Sequence, residues 1–508
     1  MSVAAALLVL SVCLVTTLFI WRRNHFNYFK KLGIPGPTPN WIWGNLLEYH
    51  SMESYKVVGK WIEEYGSVFG FFNGDVPFVV LNDLDFIEYV YVRNFRNFVD
   101  RGNIMVTNEM HPVIGKSLLH VGGAEWKSLR SPVARSLSAA KLKLMVPQLE
   151  EDAELFTKSL EEYADTNAEI HMLPKFEELT MDYTARGAFG MEEHFQGNPD
   201  HPLIELSRTV FRGIIKGPLH MIGQCTTTIG GWMKPFYWFT TLVGEFTFEN
   251  LGKEIEKVIE MRKKDPSLRK SDILQSLIDA EGTDTLDSNS NGASKSSELS
   301  SSAVAGTATL VFIGGFDSTA ATLSYIAFAL AKYPDIQERV REEVLEALSQ
   351  TGTLNYEIIM QKLKYLGYVV DETLRLYPPG LLSVTRKAKG DFEYKGIKYK
   401  AGTCFVVSTY HLHTNPQFWP NAEQFYPERF APENEASLKK LAYAPFGIGP
   451  RNCVGSKLAL MMVKYTIAKF VQKYRLELGE SQMGSMELAA RSIVSAPGRG
   501  PWIKLYRA

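Results

Sequence analysis

Cysteine is scarce in this 508-residue sequence: Cys13, Cys225, Cys404 and Cys453 are its only four. They lie far apart and form no Cys-x-x-Cys pair, which excludes a disulfide framework and a cysteine zinc site and fits a reducing, cytosol-facing location. An excess of either charge is also missing, because 55 Lys and Arg face 56 Asp and Glu, for a formal net charge of −1. No basic field is left to wrap a nucleic acid, so no nucleic-acid partner is expected. Internal repeats are absent, and low complexity is confined to residues 282–302, which read as an exposed loop. With 45% hydrophobic and 22% charged residues, the chain has ordinary material for a large buried core.

From Val3 to Trp21 there are 19 residues without a charge. As a helix they extend about 28 Å, close to the hydrocarbon thickness of a bilayer. Arg22, Arg23, Lys30 and Lys31 follow the run, so the positive-inside rule keeps the body cytosolic. A cleaved signal peptide would need a charged stretch before the run and small residues after it, and neither is present. Residues 1–32 are therefore expected to be a membrane anchor with a basic flank, and residues 33–508 one domain. The three prolines of Gly33-Ile-Pro-Gly-Pro-Thr-Pro39 break the helix and read as a stiff connector acting as a hinge.

Helical periodicity dominates the body, over Val133–Tyr163, Leu251–Ile278, Ala303–Lys332, Tyr333–Leu348, Tyr356–Tyr377 and Cys453–Tyr474. Strand-like runs are few: Ser67–Phe72, Phe78–Leu81, Tyr394–Lys400 and Thr403–Ser408. The pattern predicts a mainly α domain with a small β region.

Cys453 stands in Phe446-Gly-Ile-Gly-Pro-Arg-Asn-Cys-Val-Gly455. A thiolate that ligates iron needs amide donors near sulfur, a dry pocket and nothing bulky in the way. Gly447, Gly449 and Gly455 tolerate positive φ and close backbone approach, and Phe446 is placed to keep water off. The helix predicted just after Cys453 points its positive end at sulfur and favours the charged form.

This order of Phe, Gly, Gly, Arg, Cys and Gly resembles the haem-binding signature of the cytochrome P450 family. Other motifs follow in the family's order. Glu372-Thr-Leu-Arg375 resembles its Glu-x-x-Arg pair, and Pro427-Glu-Arg-Phe430 the segment whose Arg429 joins that pair to brace the cysteine loop. Trp126 and Arg130 match its Trp-x-x-x-Arg. With Arg386 and Arg451 they fall where the family holds haem propionates, and guanidinium forks suit carboxylates. The resemblance covers essentially the whole chain and implies a P450-like haem domain behind one transmembrane helix, binding haem b with Cys453 as iron ligand.

Gly314-Gly-Phe-Asp-Ser-Thr319 resembles the family's oxygen-activation motif, where a helix widens over the distal haem face to admit dioxygen and water. Two glycines among good helix formers cost about 1 kcal/mol each relative to alanine, so something requires them. Asp317 takes the acid position, Ser318 the position of the usual threonine, and Thr319 follows. An acid and a water-holding hydroxyl suit proton delivery during O–O cleavage. Serine lacks threonine's β-methyl and is less restricted at χ1, which predicts looser control of that proton.

The resemblance implies a monooxygenase that takes electrons from NADPH through a separate membrane-bound reductase, with cytochrome b5 a second candidate donor. No flavin or nicotinamide fingerprint occurs in the chain. Lys127, Arg130, Arg135, Lys141 and Lys143 form a stretch without acidic residues that would steer an acidic donor. The apolar, aromatic-rich stretch Val210–Val243 resembles the family's substrate lid, while Phe312, Ile313, Leu382, Ser383 and Arg101–Leu119 are pocket candidates by family position. They imply a lipophilic substrate. Arg-Asn-Cys-Val-Gly and Phe98-Val-Asp-Arg-Gly look most like the animal microsomal enzymes acting on xenobiotics, steroids and fatty acids, which implies the endoplasmic reticulum membrane. Two alternatives use the same cysteine: an isomerase or dehydratase rearranging a lipid peroxide without a reductase, and a tethered haem protein without turnover. Asp317 and its adjacent hydroxyls argue against both.

Overall fold

In a computed structural model, the described residues are 3–508 except 52, 103–112, 214–217, 228–234, 236–238, 240–246, 282–298, 383, 483, 485 and 492–493. Most of the expected loop 282–302 and of the stretch 210–243, as well as Ser383, lie outside them. Contacts gather the chain into two compact units, one of residues 1–106, 217–237 and 385–408, the other of 107–216, 238–384 and 409–508.

The smaller unit carries a four-stranded sheet in the order Val68–Asn73, Val76–Leu81, Cys404–Val407, Val384–Lys387. The first two strands pair antiparallel from Val68 opposite Leu81 to Asn73 opposite Val76, while Phe78–Leu81 run parallel to Cys404–Val407. Both faces are covered, so Val79, Val80, Leu81, Cys404, Phe405 and Val407 are all fully buried. That explains why these strands read as continuous apolar runs without alternation. The expected single strand Tyr394–Lys400 is a hairpin, Phe392–Tyr394 against Ile397–Tyr399, turned by Lys395 and Gly396 at φ 49° and 78°. Two consecutive positive φ values, here with glycine second, are the turn that this tight connection demands.

The apolar N-terminal helix runs Val3–Phe26, and its membrane-length window has no buried residue. The expected hinge after it is instead a strapped segment. Gly70 donates its N–H to Pro35 O (2.8 Å), the Asn45 amide donates to Thr38 O (3.2 Å), and Phe72 N–H donates to Asn45 Oδ1 (2.9 Å). Proline rigidity and these bonds hold residues 33–39 against the first strand.

The larger unit is built around the 32-residue helix Ser301–Lys332, started by Ser300, whose side chain accepts from Ala303 N–H (3.3 Å). It is apolar and long enough to cross a membrane, yet 72% of its most apolar window is buried inside the protein, so it is the core helix. Around it pack Met172–Asp182, Thr247–Lys264 and Ser456–Lys473, with strands Tyr474–Leu478 and Val494–Pro497. The predicted helix 133–163 is two, Gly123–Ser136 and Ala139–Ser159, and 251–278 breaks at Asp265-Pro266 into Thr247–Lys264 and Ile273–Asp279. Proline removes a donor and fixes φ, which ends a helix. The C-terminal strands Leu488–Arg491, Val494–Pro497 and Trp502–Arg507 were not expected.

Gln337, on helix Pro334–Thr351, joins helix to sheet in this unit. Its amide donates to Leu330 O and Leu476 O (both 2.9 Å), and its oxygen accepts from Leu476 N–H (2.8 Å), at 4% exposure. Replacing it by alanine orphans three buried backbone groups at about 1–3 kcal/mol each. Gln337→Ala is expected to lower the thermal unfolding midpoint clearly, whereas Gln350→Ala on the same helix's exposed end is expected to leave it unchanged.

Candidate functional site

The turn before Cys453 starts from its own backbone. Gly447 and Gly449 sit at φ 81° and 72°, and Cys453 N–H donates back to Phe446 O (2.8 Å), closing the loop on itself. A Cβ on Gly447 would meet nothing nearer than 3.7 Å, so glycine is needed for the sign of φ and not for room. The thiol of Cys453 is exposed at the mouth of this loop, and helix Ser456–Lys473 starts three residues later, with its N-terminal dipole next to the sulfur. Phe446 is half-buried beneath the turn.

Three of the predicted cofactor residues converge here. The Trp126 ring has two guanidinium groups within reach of its face, Arg451 at 4.8 Å and Arg130 at 5.7 Å. Arg130 donates to the backbone and side-chain oxygens of Asn452 (2.8 Å each), which ties its helix to the residue before the cysteine. Burial lowers the Arg130 pKa, and the nearby Cys453 opposes that shift. Arg451 is 2% exposed and donates to Val121 O. Arg386 belongs to the other unit. There it is fully buried over the Tyr91 ring at 4.6 Å, and burial, reinforced by Arg101, lowers its pKa to about 9. Such a guanidinium gains from an added anion, because a carboxylate would offset both causes.

Behind the loop is a buried charge network. Arg375 grips Glu372 with two bonds (2.7 and 2.8 Å), both side chains fully buried, and Arg429 approaches Glu372 at 3.5 Å. The remaining donors are spent on carbonyls: Arg375 on His413 O (3.0 Å) and Gln424 O (3.2 Å), Arg429 on Pro420 O (2.8 Å). Losing one partner of such a pair typically costs about 3–5 kcal/mol.

Sequence reasoning missed His413, which links this network to the cysteine loop. Ala444 N–H donates to its Nε2 (2.8 Å), so Nε2 is the acceptor, and the ring proton on Nδ1 faces Arg375 O at 3.2 Å. Only the spacing from Arg375 within a buried run hinted at it, and a lone histidine carries no motif.

The oxygen-side motif lies on the long core helix, which stays regular α-helix through Gly314 and Gly315 without the expected widening. The two glycines differ. Gly314 is exposed and a Cβ there would meet nothing within 4 Å, whereas a Cβ on Gly315 would lie 2.9 Å from Thr184 Oγ1. The room expected from both comes only from Gly314, and Gly315 serves helix packing. Ser318, one turn on, shares the Gly314 face and donates its hydroxyl to Gly314 O (2.7 Å). Asp317 (4% exposed) and Thr319 (2%) are buried, and Thr319 Oγ1 has no hydrogen-bond partner among the described residues. Phe312 and Ile313 are buried, and Leu382 nearly so.

An exposed thiol at a helix N-terminus, left-handed glycines at 447 and 449 and the buried guanidinium of Arg451 make a set that fits haem. The cytochrome P450 family model matches residues 34–502. The chain belongs to the cytochrome P450 family. It is 30% identical to cytochrome P450 3A2 of Rattus norvegicus over 96% of this chain and 93% of that protein. It is likewise 30% identical to cytochrome P450 3A41 of Mus musculus, over 96% and 93%, and to cytochrome P450 3A1 of Rattus norvegicus, over 92% and 90%. It is therefore a haem monooxygenase that uses dioxygen, a redox partner and a lipophilic substrate, with the mainly helical P450 fold.

Burial holds the His413 pKa down to about 3, against 6.5 in the unfolded chain. A lowered histidine pKa means that the unfolded state takes up a proton the native state refuses. Its stabilisation is thus complete above pH 6.5 and is lost as pH falls through 6.5 towards 3. Urea titrations are expected to show stability falling from pH 7 to pH 5, with a shallower slope in His413→Gln, which keeps an acceptor and a donor without titrating. Equal slopes would remove His413 from this role.

Proposed function

We propose that this P450 is a membrane-anchored monooxygenase of the endoplasmic reticulum, with its catalytic domain, residues 33–508, in the cytosol behind the anchor of residues 1–32, whose single span is Val3–Trp21. It binds haem b through Cys453 and receives NADPH-derived electrons from a reductase, with cytochrome b5 as an alternative donor. The observation that carries this reading is the exposed Cys453 thiol at the start of helix Ser456–Lys473. When bound, the haem supplies oxygen activation, and a cysteinate ligand favours O–O cleavage.

The chain's own residues divide the remaining work. Trp126, Arg130, Arg451 and Arg386 hold the propionates by hydrogen bonds and charge, and Phe446 screens the sulfur from water. Gly314 leaves space on the long helix, and Ser318, whose hydroxyl proton is committed to Gly314 O, keeps its oxygen lone pairs to hold a water. Asp317, buried beside it, supplies the proton, and Thr319 is a reserve hydroxyl. Phe312, Ile313 and Leu382 contribute apolar wall, which suits a xenobiotic, steroid or fatty-acid-like substrate.

For the electron donor, Lys127 and Arg135 are exposed, whereas Lys143 is paired with Glu357 and Lys141 donates to Ser271 Oγ at 2.5 Å. Lys127 and Arg135 thus belong to the exposed part of the basic stretch that would steer an acidic donor.

Cys453→Ala is expected to abolish the red-shifted thiolate-type Soret band of the reduced carbon monoxide complex. An unchanged spectrum would overturn the ligand assignment. Ser318→Ala is expected to cut product formed per NADPH several-fold and raise peroxide release, while Ser318→Thr improves coupling. If product yield and peroxide stay constant in both, Ser318 has no part in proton delivery.

A further inference from the structure

An arginine at the end of a membrane span ordinarily reaches outward to lipid phosphates. Arg22 does the reverse. Its Nε donates to Trp41 O and one terminal nitrogen to Ile42 O (2.7 Å each), and the other pairs with the carboxylate of Asp75, which is fully buried at the tip of the first hairpin. His25 Nε2 bonds Asp75 O (2.7 Å), and Phe26 packs on Phe72 with ring centroids 4.9 Å apart. The last turns of the apolar helix are thus bolted to the sheet by charge, hydrogen bonds and aromatic contact.

The turn that supplies two of those carbonyls is itself rigid. Asn40 and Gly44 exchange backbone hydrogen bonds (2.7 and 2.9 Å), and Asn40 Oδ1 accepts from Ile42 N–H (2.9 Å) and Trp43 N–H (3.2 Å). With its carbonyls turned in to Arg22, the turn presents Ile42 at 62% exposure and Trp41 at 43%. The Trp41 ring lies 4.2 Å from Phe19, which is 51% exposed on the helix. Phe19 precedes Arg22 by three residues, about 4.5 Å of helix rise, so Trp41 shares the level of the last apolar turn.

We infer that the turn Asn40–Gly44 is a second membrane contact, inserting Trp41 and Ile42 at the bilayer surface, and that the Arg22–Asp75 clamp fixes the angle between the anchor helix and the sheet it carries. This rests on the reading of Val3–Trp21 as a membrane span. Given that span, the depth of Trp41 follows from its contact with Phe19. The patch of Phe19, Ile20, Trp21, Trp41 and Ile42 is continuous with side chains already in lipid, so its occupant is phospholipid and not a protein partner. Tryptophan at the headgroup boundary matches the chemistry of that layer. A single hydrophobic span with a loose linker would let the body tumble, whereas a bolted span with a second foothold holds one orientation.

The test uses the full-length holoenzyme in phosphatidylcholine nanodiscs. An environment-sensitive fluorophore on Ile42→Cys, in a Cys13→Ala background, is expected to emit blue-shifted light and be quenched by nitroxide lipids labelled near the headgroup. Water-like emission without quenching would overturn the contact. Haem tilt from polarised absorption on oriented bilayers is expected to be narrow in the parent and broad in Asp75→Asn, with the carbon monoxide spectrum of both intact. An equally narrow tilt in Asp75→Asn would overturn the clamp's role. Alkaline carbonate separates the two readings: release of the parent protein would sink the span and this inference together, while retention with water-like emission at position 42 would sink only the inference.

Discussion

A buried Glu372–Arg375 pair with both side chains at zero exposure is the constraint on which the cysteine loop depends. Two charges taken out of water are tolerable only if every remaining donor and acceptor is used. Those donors reach the carbonyls of His413 and Gln424, and Glu372 also accepts from Tyr426 N–H (3.0 Å), so segments far apart in sequence are fixed around one ion pair. His413 then passes that order to Ala444, two residues before Phe446, and the left-handed glycines complete a turn that ends with the thiol exposed. The loop is short of side chains because its shape is enforced from behind.

The core helix answers a different demand. It must bury most of its surface to hold the larger unit together and still offer one open face. Alanine, leucine and phenylalanine supply the first, and Gly314 with Ser318 one turn later supply the second. Gly315, at the adjacent position, is spent on close packing against Thr184. One residue's step around the helix thus separates an open face from a packed one.

At the N-terminus the same economy of charge recurs. Arg22 and Asp75 are brought together where the apolar helix meets the sheet, and the proline-rich segment is strapped to a strand and not left loose. Helix, turn and hairpin tip share one polar node, with Phe26 and Phe72 buried beside it and Phe19, Trp41 and Ile42 exposed.

The family, the glycine turn before Cys453, the mainly helical class, the apolar N-terminal helix and the pairing of Glu372 with Arg375 are all legible in the sequence. These are carried by local spacing: a glycine-bracketed cysteine, charges three apart on a helix, an uncharged run of membrane length. The remaining features involve partners distant in the chain. Tyr394–Lys400 became a hairpin because a turn at Lys395-Gly396 outweighed strand propensity. Arg130 turned to Asn452, His413 became the link to Ala444, and the expected hinge was strapped to the first strand. Spacing along a chain says which residues share a face. Which group, 31 or 53 positions away, satisfies a buried acceptor or charge is settled only when the chain is packed.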